Sequence, residues 1–74
     1  MVTIVASWDA QSGEGRIHLS LDSAMFDADS RQAMAQAKVH ELEALQGDQP
    51  IEVMIAHART LSDFRRTDPR FYDA

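Results

Sequence analysis

The three histidines are the side chains best suited to metal binding or proton transfer. A helical zinc site needs two of them about one turn apart, so that both imidazoles project from one face. The two nearest in the sequence, His40 and His57, are far more widely spaced than that. We therefore interpret His18, His40 and His57 as ordinary surface residues, and we predict no metal site.

Asp27 and Asp29 are spaced like the first two ligands of a calcium-binding loop. Such a loop also requires a glycine at its sixth position and a glutamate at its twelfth. The chain has Gln32 and Lys38 at those positions. The two aspartates are instead typical of the start of a helix, where a carboxylate caps free backbone N–H groups and interacts favourably with the helix dipole.

Serine, glycine and paired carboxylates are present, but none follows a catalytic pattern. Residues 12–15 (Ser-Gly-Glu-Gly) lack the glycine that precedes serine in a nucleophile elbow, and residues 13–16 are too short for a nucleotide-binding fingerprint. Glu41 and Glu43 are two positions apart, so they do not face each other on a helix. A chain of 74 residues also leaves little room for a concave pocket of roughly 300–1,000 Å³. We predict a protein that is not an enzyme and needs no cofactor.

Length and composition predict one small domain, residues 1–74, with a marginal core. A domain of this size buries about 60% of the surface that its unfolded chain exposes. The absence of cysteine excludes disulfides as a supplement, so we expect stabilising contacts with a second copy or with another protein. No apolar run approaches the ~20 residues of a membrane helix, and the N-terminal residues lack the basic region of a signal peptide. We predict a cytoplasmic protein without membrane contact.

Alternating apolar residues predict a β-hairpin in the first 22 residues. The first apolar series comprises Val2, Ile4, Ala6 and Trp8, and the second comprises Ile17, Leu19 and Leu21. Residues 9–15, which include two glycines, are turn formers. In the second strand, Arg16, His18 and Ser20 alternate with the apolar series, so we expect them on a face exposed to water.

A long helix follows the hairpin. We expect it to begin between Asp27 and Ser30, both favoured N-cap types, and to end at Gly47. Helical geometry places its apolar residues within an arc of about 140°. These residues are Met34, Ala35, Val39, Leu42 and Leu45. A helix with one apolar face is suited to covering a sheet.

Residues 51–58 fit either a strand or a helix. The β-branched residues and the need for a third strand beneath the helix favour a strand, because an isolated hairpin is marginal. We predict an α+β fold of order ββαβ with a short helix at 61–66 capped by Thr60 or Ser62, and a C-terminal tail at 67–74. The alternative is ββαα.

The net charge of −5 is unevenly distributed, with most acids in residues 1–57. An acidic body repels phosphate, so we expect no direct contact with nucleic acid. It is suited instead to a basic, nucleic-acid-binding groove on another protein. The proposed acidic contacts are Asp22, Asp27, Asp29, Glu41 and Glu43. The alternative is a solvated surface that keeps a small protein in solution.

Arginine and aromatic residues are concentrated near the C-terminus. The candidate partner contacts are Arg65, Arg66, Arg70, Phe71 and Tyr72. Arginine and tyrosine are common at the energetic centres of protein interfaces, and the same mixture can serve single-stranded nucleic acid. In the alternative interpretation this segment folds back, and Phe64 and Phe71 complete a small core.

Three strands under one helix leave open sheet edges. A strand of a partner can add to such an edge, or a second copy can pair there to form a homodimer. Arg16, His18 and Ser20 would flank such a contact.

In size and composition the whole chain resembles small phage-encoded inhibitors, anti-CRISPR proteins among them, which are often compact, acidic and free of cysteine. The resemblance implies binding to a nuclease complex and blockage of its nucleic-acid site or its assembly. Together with the absence of catalytic motifs, it leads us to predict a non-enzymatic protein-binding module that inhibits or regulates a partner. The alternative is a small structural or assembly subunit that acts through homo-oligomerisation.

Overall fold

The computed structural model describes residues 1–72 and has an α+β fold of order ββαβ followed by two short helical segments. The elements are β1 (Val2–Asp9), β2 (Glu14–Asp22), α1 (Ala28–Gln46), β3 (Ile51–Ala58), α2 (Leu61–Thr67) and a 3-10 turn (Pro69–Phe71). The predicted third strand is confirmed, and the ββαα alternative is wrong.

The sheet is antiparallel, with β1 in the centre between β2 and β3. Residues 2–7 of β1 are buried without interruption, although successive side chains point to opposite faces of a sheet. Both faces are therefore covered. Helix α1 lies over one face, while α2 and the 3-10 turn lie over the other.

The C-terminal elements build the main core. Phe64 of α2 and Phe71 of the 3-10 turn stack with ring centroids 5.1 Å apart and pack on Val2, Ile4 and Ala6 of β1. Residues 69–71, which we expected in a tail, therefore belong to the folded domain. Residues 73–74 of that predicted tail lie outside the described residues.

Two side-chain caps place these elements. The Thr60 hydroxyl accepts a hydrogen bond from the Asp63 N–H and starts α2. Asp68 accepts from the Arg70 N–H and starts the 3-10 turn, with Pro69 as its first residue. The turn docks so closely on the hairpin that a Cβ atom at Gly15 would clash with the Arg70 carbonyl and lie 2.8 Å from the Phe71 ring.

A β-bulge in β2 changes which residues share a face. Val5 is opposite Leu19, but Ala6 is opposite Ile17, so the register skips His18. An extra residue in one strand reverses the side-chain alternation beyond it. Ile17 consequently packs in the core beneath the C-terminal elements, whereas Leu19 faces α1. The predicted single apolar face of this strand is wrong for that reason.

Helix α1 begins and ends as predicted, with Asp27 as its N-cap and Gly47, at φ = 59°, as its C-cap. Its buried face is rotated from the predicted arc. Ala35 is the buried residue of the helix, whereas Met34 and Leu45 are 39% and 77% exposed. Val39 and Leu42 of the predicted arc are half-buried beside Ala35, and Arg31, Lys38 and Gln46 are half-buried with them.

Replacing Phe71 by alanine should lower the free energy of unfolding by about 3–5 kcal/mol, because the substitution leaves a cavity at the centre of the core. Denaturant unfolding measures this change. Tyr72→Ala is the matched control, since that ring is 67% exposed, and it should change stability by less than about 0.5 kcal/mol. Equal effects of the two substitutions would contradict this packing.

Candidate partner-binding surface and an adjoining cleft

Two of the predicted acidic contacts have structural tasks of their own. Asp22 accepts a hydrogen bond from the Ala24 N–H at 2.9 Å and shapes the loop before α1. Asp27 accepts from the Ser30 N–H at 2.7 Å. That backbone hydrogen bond, with the Ser30 hydroxyl and Arg31, holds the pKa of Asp27 below its ordinary value. Substituting either aspartate would alter the fold as well as the charge.

The other three acids lie on α1, on two of its sides. Asp29 and Glu43 are within about 40° of each other around the helix axis, and both are exposed. Glu41 lies on a different side and accepts a hydrogen bond from Lys38 Nζ at 2.8 Å. Neither Asp29 nor Glu43 has an ion-pair partner among residues 1–72. They form the acidic side of α1, which is open to solvent.

Most arginine and aromatic side chains of residues 65–72 already have partners within the domain. Arg66 is paired with Asp63, and Arg70 is held by Asp68 at 2.8 Å. The Asp68 side chain raises the pKa of Arg70, and in turn the hydrogen bond from Arg70 lowers the pKa of Asp68. A third acid, Glu52, lies 3.8 Å from Arg70.

Phe71, which we expected as a partner contact, has no exposed surface, because it stacks on Phe64. The guanidinium of Arg70 lies over its ring at 5.4 Å. Arg65 is half-buried, and its Nε atom has no hydrogen-bond partner in the described structure. Tyr72 is the aromatic residue of this stretch that a partner can reach. The arrangement agrees with the interpretation in which this segment completes the core.

An apolar groove runs between α1 and the edge strand β2. Its lining comprises Leu19, Met34, Ala37, Lys38 and Glu41. It exists because the rotation of α1 brings Met34 to the margin of the helix, beside Leu19 of β2. Exposed Met34 and Leu45 therefore give α1 apolar contact area near Lys38 and Glu41, on the side of the helix away from Asp29 and Glu43.

A deeper cleft opens where the C-terminal half of α1 lies over the sheet, with a volume of about 330 Å³. Its apolar lining is Leu42, Leu45, Ile51 and Val53, and its polar lining is Ser7, Asp9, Glu14, Arg16, His18, Gln46 and Gln49. The sequence did not lead us to expect a cavity. We expected His18 to face water. The bulge instead turns its side chain toward the face of the sheet that α1 covers, where it lines the cleft.

Two histidines are hydrogen-bonded to the buried hydroxyls of β1. Ser7 Oγ lies 2.7 Å from His18 Nε2, and Thr3 Oγ1 lies 3.2 Å from His57 Nδ1. Both hydroxyls are buried, and a buried polar group without a partner is costly. Burial lowers the pKa of His18, and the charges of Lys38 and Arg16 lower it further, so its imidazole is neutral at pH 7.

The Ser7–His18 contact has the distance of a nucleophile and its base. A catalytic triad also needs an acid that orients the imidazole. Within residues 1–72, the hydrogen bonds of His18 include none to a carboxylate. The pair is therefore explained by the buried Ser7 hydroxyl.

The part of the chain that the structure describes holds no group of three or more His, Cys, Asp or Glu side chains placed to bind a metal. None of its helices is long and apolar enough to cross a membrane. Comparison with known proteins finds no matching family, no matching curated protein and no matching solved structure.

Stability should fall as the pH is lowered from about 7 towards the lowered pKa of folded His18, because the unfolded chain, whose histidine pKa is near 6.5, takes up a proton before folded His18 does. His18→Gln should flatten this part of the profile, and unfolding followed at several pH values measures it. His40→Gln, on the exposed side of α1, is the control.

An unchanged slope in His18→Gln would contradict this assignment.

The aspartates affect stability in a lower pH range. Because the folded pKa values of Asp27 and Asp68 lie below 3.8, their contribution is complete above that pH and is lost as the pH falls through the folded values.

Proposed function

We propose that the protein is a non-enzymatic binding module that inhibits or regulates a protein partner with a basic surface. A nucleic-acid-binding site, such as that of a CRISPR-type nuclease complex, is the partner class that fits the charge. The observation that carries the proposal is the acidic side of α1, where Asp29 and Glu43 are exposed without an ion pair among the described residues.

The negative charge of the chain supports electrostatic steering toward such a partner. The chain has a net charge of −5, and α1, with 19 residues, is about 28 Å long. Asp29 lies in its first turn and Glu43 near its end, so negative charge spans the helix. Exposed charges of this kind raise association rates and fix orientation, and their effect weakens as salt screens them.

Helix α1 also exposes apolar surface that a partner could contact. Met34 and Leu45 lie on α1 at the margin of the buried face, and Met25 precedes the helix with 77% of its surface exposed. Apolar patches bordered by polar residues are typical of protein interaction sites. Methionine also adapts its shape to different surfaces. This apolar margin lies roughly 140–180° around the helix axis from Asp29 and Glu43, so it is a second contact surface, separate from the acidic side of α1.

The double substitution Asp29→Asn/Glu43→Gln should slow association with the partner several-fold at low salt, and the difference from wild type should disappear at high salt. Partners are captured from host lysate with the tagged protein, identified by mass spectrometry, and measured by surface binding kinetics. Asp48→Asn removes an exposed charge outside α1 and is the control.

The proposal gains support if the captured protein binds nucleic acid and releases it when wild type is added, while Asp29→Asn/Glu43→Gln displaces it poorly. It fails if that variant captures and inhibits the same partner as wild type does, at the same rate. Asp22 and Asp27 are left unchanged, because their carboxylates hold the loop and the helix cap.

A second candidate function, an assembly subunit, is favoured by the edge strand β3. This strand pairs regularly with β1 over eight residues, without a bulge, and Glu52 is its one charged residue. Regular edges with little charge are prone to pair with further strands. Sedimentation at increasing concentration is the test. Growth in size would favour assembly, and a constant monomer would exclude it.

A further inference from the structure

We propose that the cleft beneath the C-terminal half of α1 binds a guanidinium or ammonium group carried on an apolar stem. The inference rests on the lining of this cleft and does not depend on the acidic side of α1.

Apolar side chains form the walls that would hold the stem. Leu42 and Leu45 come from α1, and Ile51 and Val53 come from β3. The volume of about 330 Å³ is at the lower end of the range for small-molecule sites. A short alkyl chain with a compact head group is the size of ligand that such a cleft can enclose.

The polar lining offers hydrogen-bond acceptors. The Gln46 Oε1 atom is buried and has no partner among the described residues. Asp9 uses Oδ1 to hold the hairpin turn through the Gln11 N–H at 2.9 Å, and Glu14 uses Oε1 to bind Arg16 at 3.1 Å. The second oxygen of each carboxylate remains available. A planar guanidinium supplies several donors at once and can bind both oxygens of a carboxylate. The Gln46 Oε1 atom has no open surface, so its side chain would have to turn to accept from the ligand.

Charge selects a cation over an anion. Asp9 and Glu14 contribute two negative charges to the lining, Arg16 contributes one positive charge, and His18 is neutral at pH 7 because burial lowers its pKa. The Arg16 side chain is 67% exposed and already paired with Glu14, so its charge is largely compensated. The lining residues thus carry one net negative charge. Lys38 also acts on His18, but it is paired with Glu41 at 2.8 Å.

The probe is butylguanidinium, titrated into the folded wild-type protein and followed by NMR. We expect saturable shifts of the Leu42 and Val53 methyl groups and of the Gln46 side-chain amide. A ligand this small should bind with a Kd in the millimolar range. Butylurea, which is similar in shape but neutral, and butyrate, which is an anion, should bind at least about tenfold more weakly.

The variant Asp9→Asn/Glu14→Gln should weaken binding of butylguanidinium about tenfold. Asparagine can still accept the hydrogen bonds of the hairpin turn, so the fold is retained, and the backbone amide spectrum verifies this. Asp29→Asn/Glu43→Gln removes the same charge from the outer side of α1, and it should leave this affinity unchanged.

The same cation can come from a free small molecule or from an arginine side chain of a protein. A capped Gly-Arg-Gly peptide that binds at least as tightly as butylguanidinium indicates a side chain, and a peptide that fails to bind indicates a free cation. Equal binding of butylurea, preference for butyrate, or shifts confined to residues outside the cleft would each overturn the proposal. These results are independent of whether the acidic side of α1 binds a partner.

Discussion

Burial of β1 on both faces is the constraint on which the rest of the structure depends. Residues 2–7 are buried without a break, so this short chain must supply two covering layers. One layer consists of α2 and the 3-10 turn, and the other is α1. The face toward α1 contains the hydroxyls of Thr3 and Ser7, which are compatible with burial because His57 and His18 are their hydrogen-bond partners.

Local signals in the sequence predict the elements and their order. Asp27 and Gly47 mark the ends of α1, and the β-branched residues after Pro50 mark β3. These signals depend on neighbouring residues alone, so they can be recognised in the sequence. The position of the bulge cannot be recognised in this way. It depends on how β2 pairs with β1, and no residue type near His18 announces it.

The residues of the candidate site also divide into those that could be predicted from the sequence and those that could not. That Asp29 and Glu43 share one side of α1 could be predicted, because helical spacing places them within about 40° of each other. Their exposure depends on how the helix lies on the sheet, since they are only about 120° and 80° from the buried Ala35. The cleft could not be predicted, since it requires both the bulge at His18 and the way α1 lies over the sheet. The segment from Arg65 to Tyr72 resembles a contact surface in composition. Only packing distinguishes buried Phe71 from exposed Tyr72.

The bulge also makes the two edges of the sheet unequal. Edge strand β2 is interrupted at His18, whereas edge strand β3 is regular along its length. A sheet that can pair along one edge alone has a single site for strand addition. Two copies that meet at β3 around a two-fold axis leave only bulged strands outermost. Pairing of this kind would end at two copies and would leave no regular edge for open-ended fibre growth.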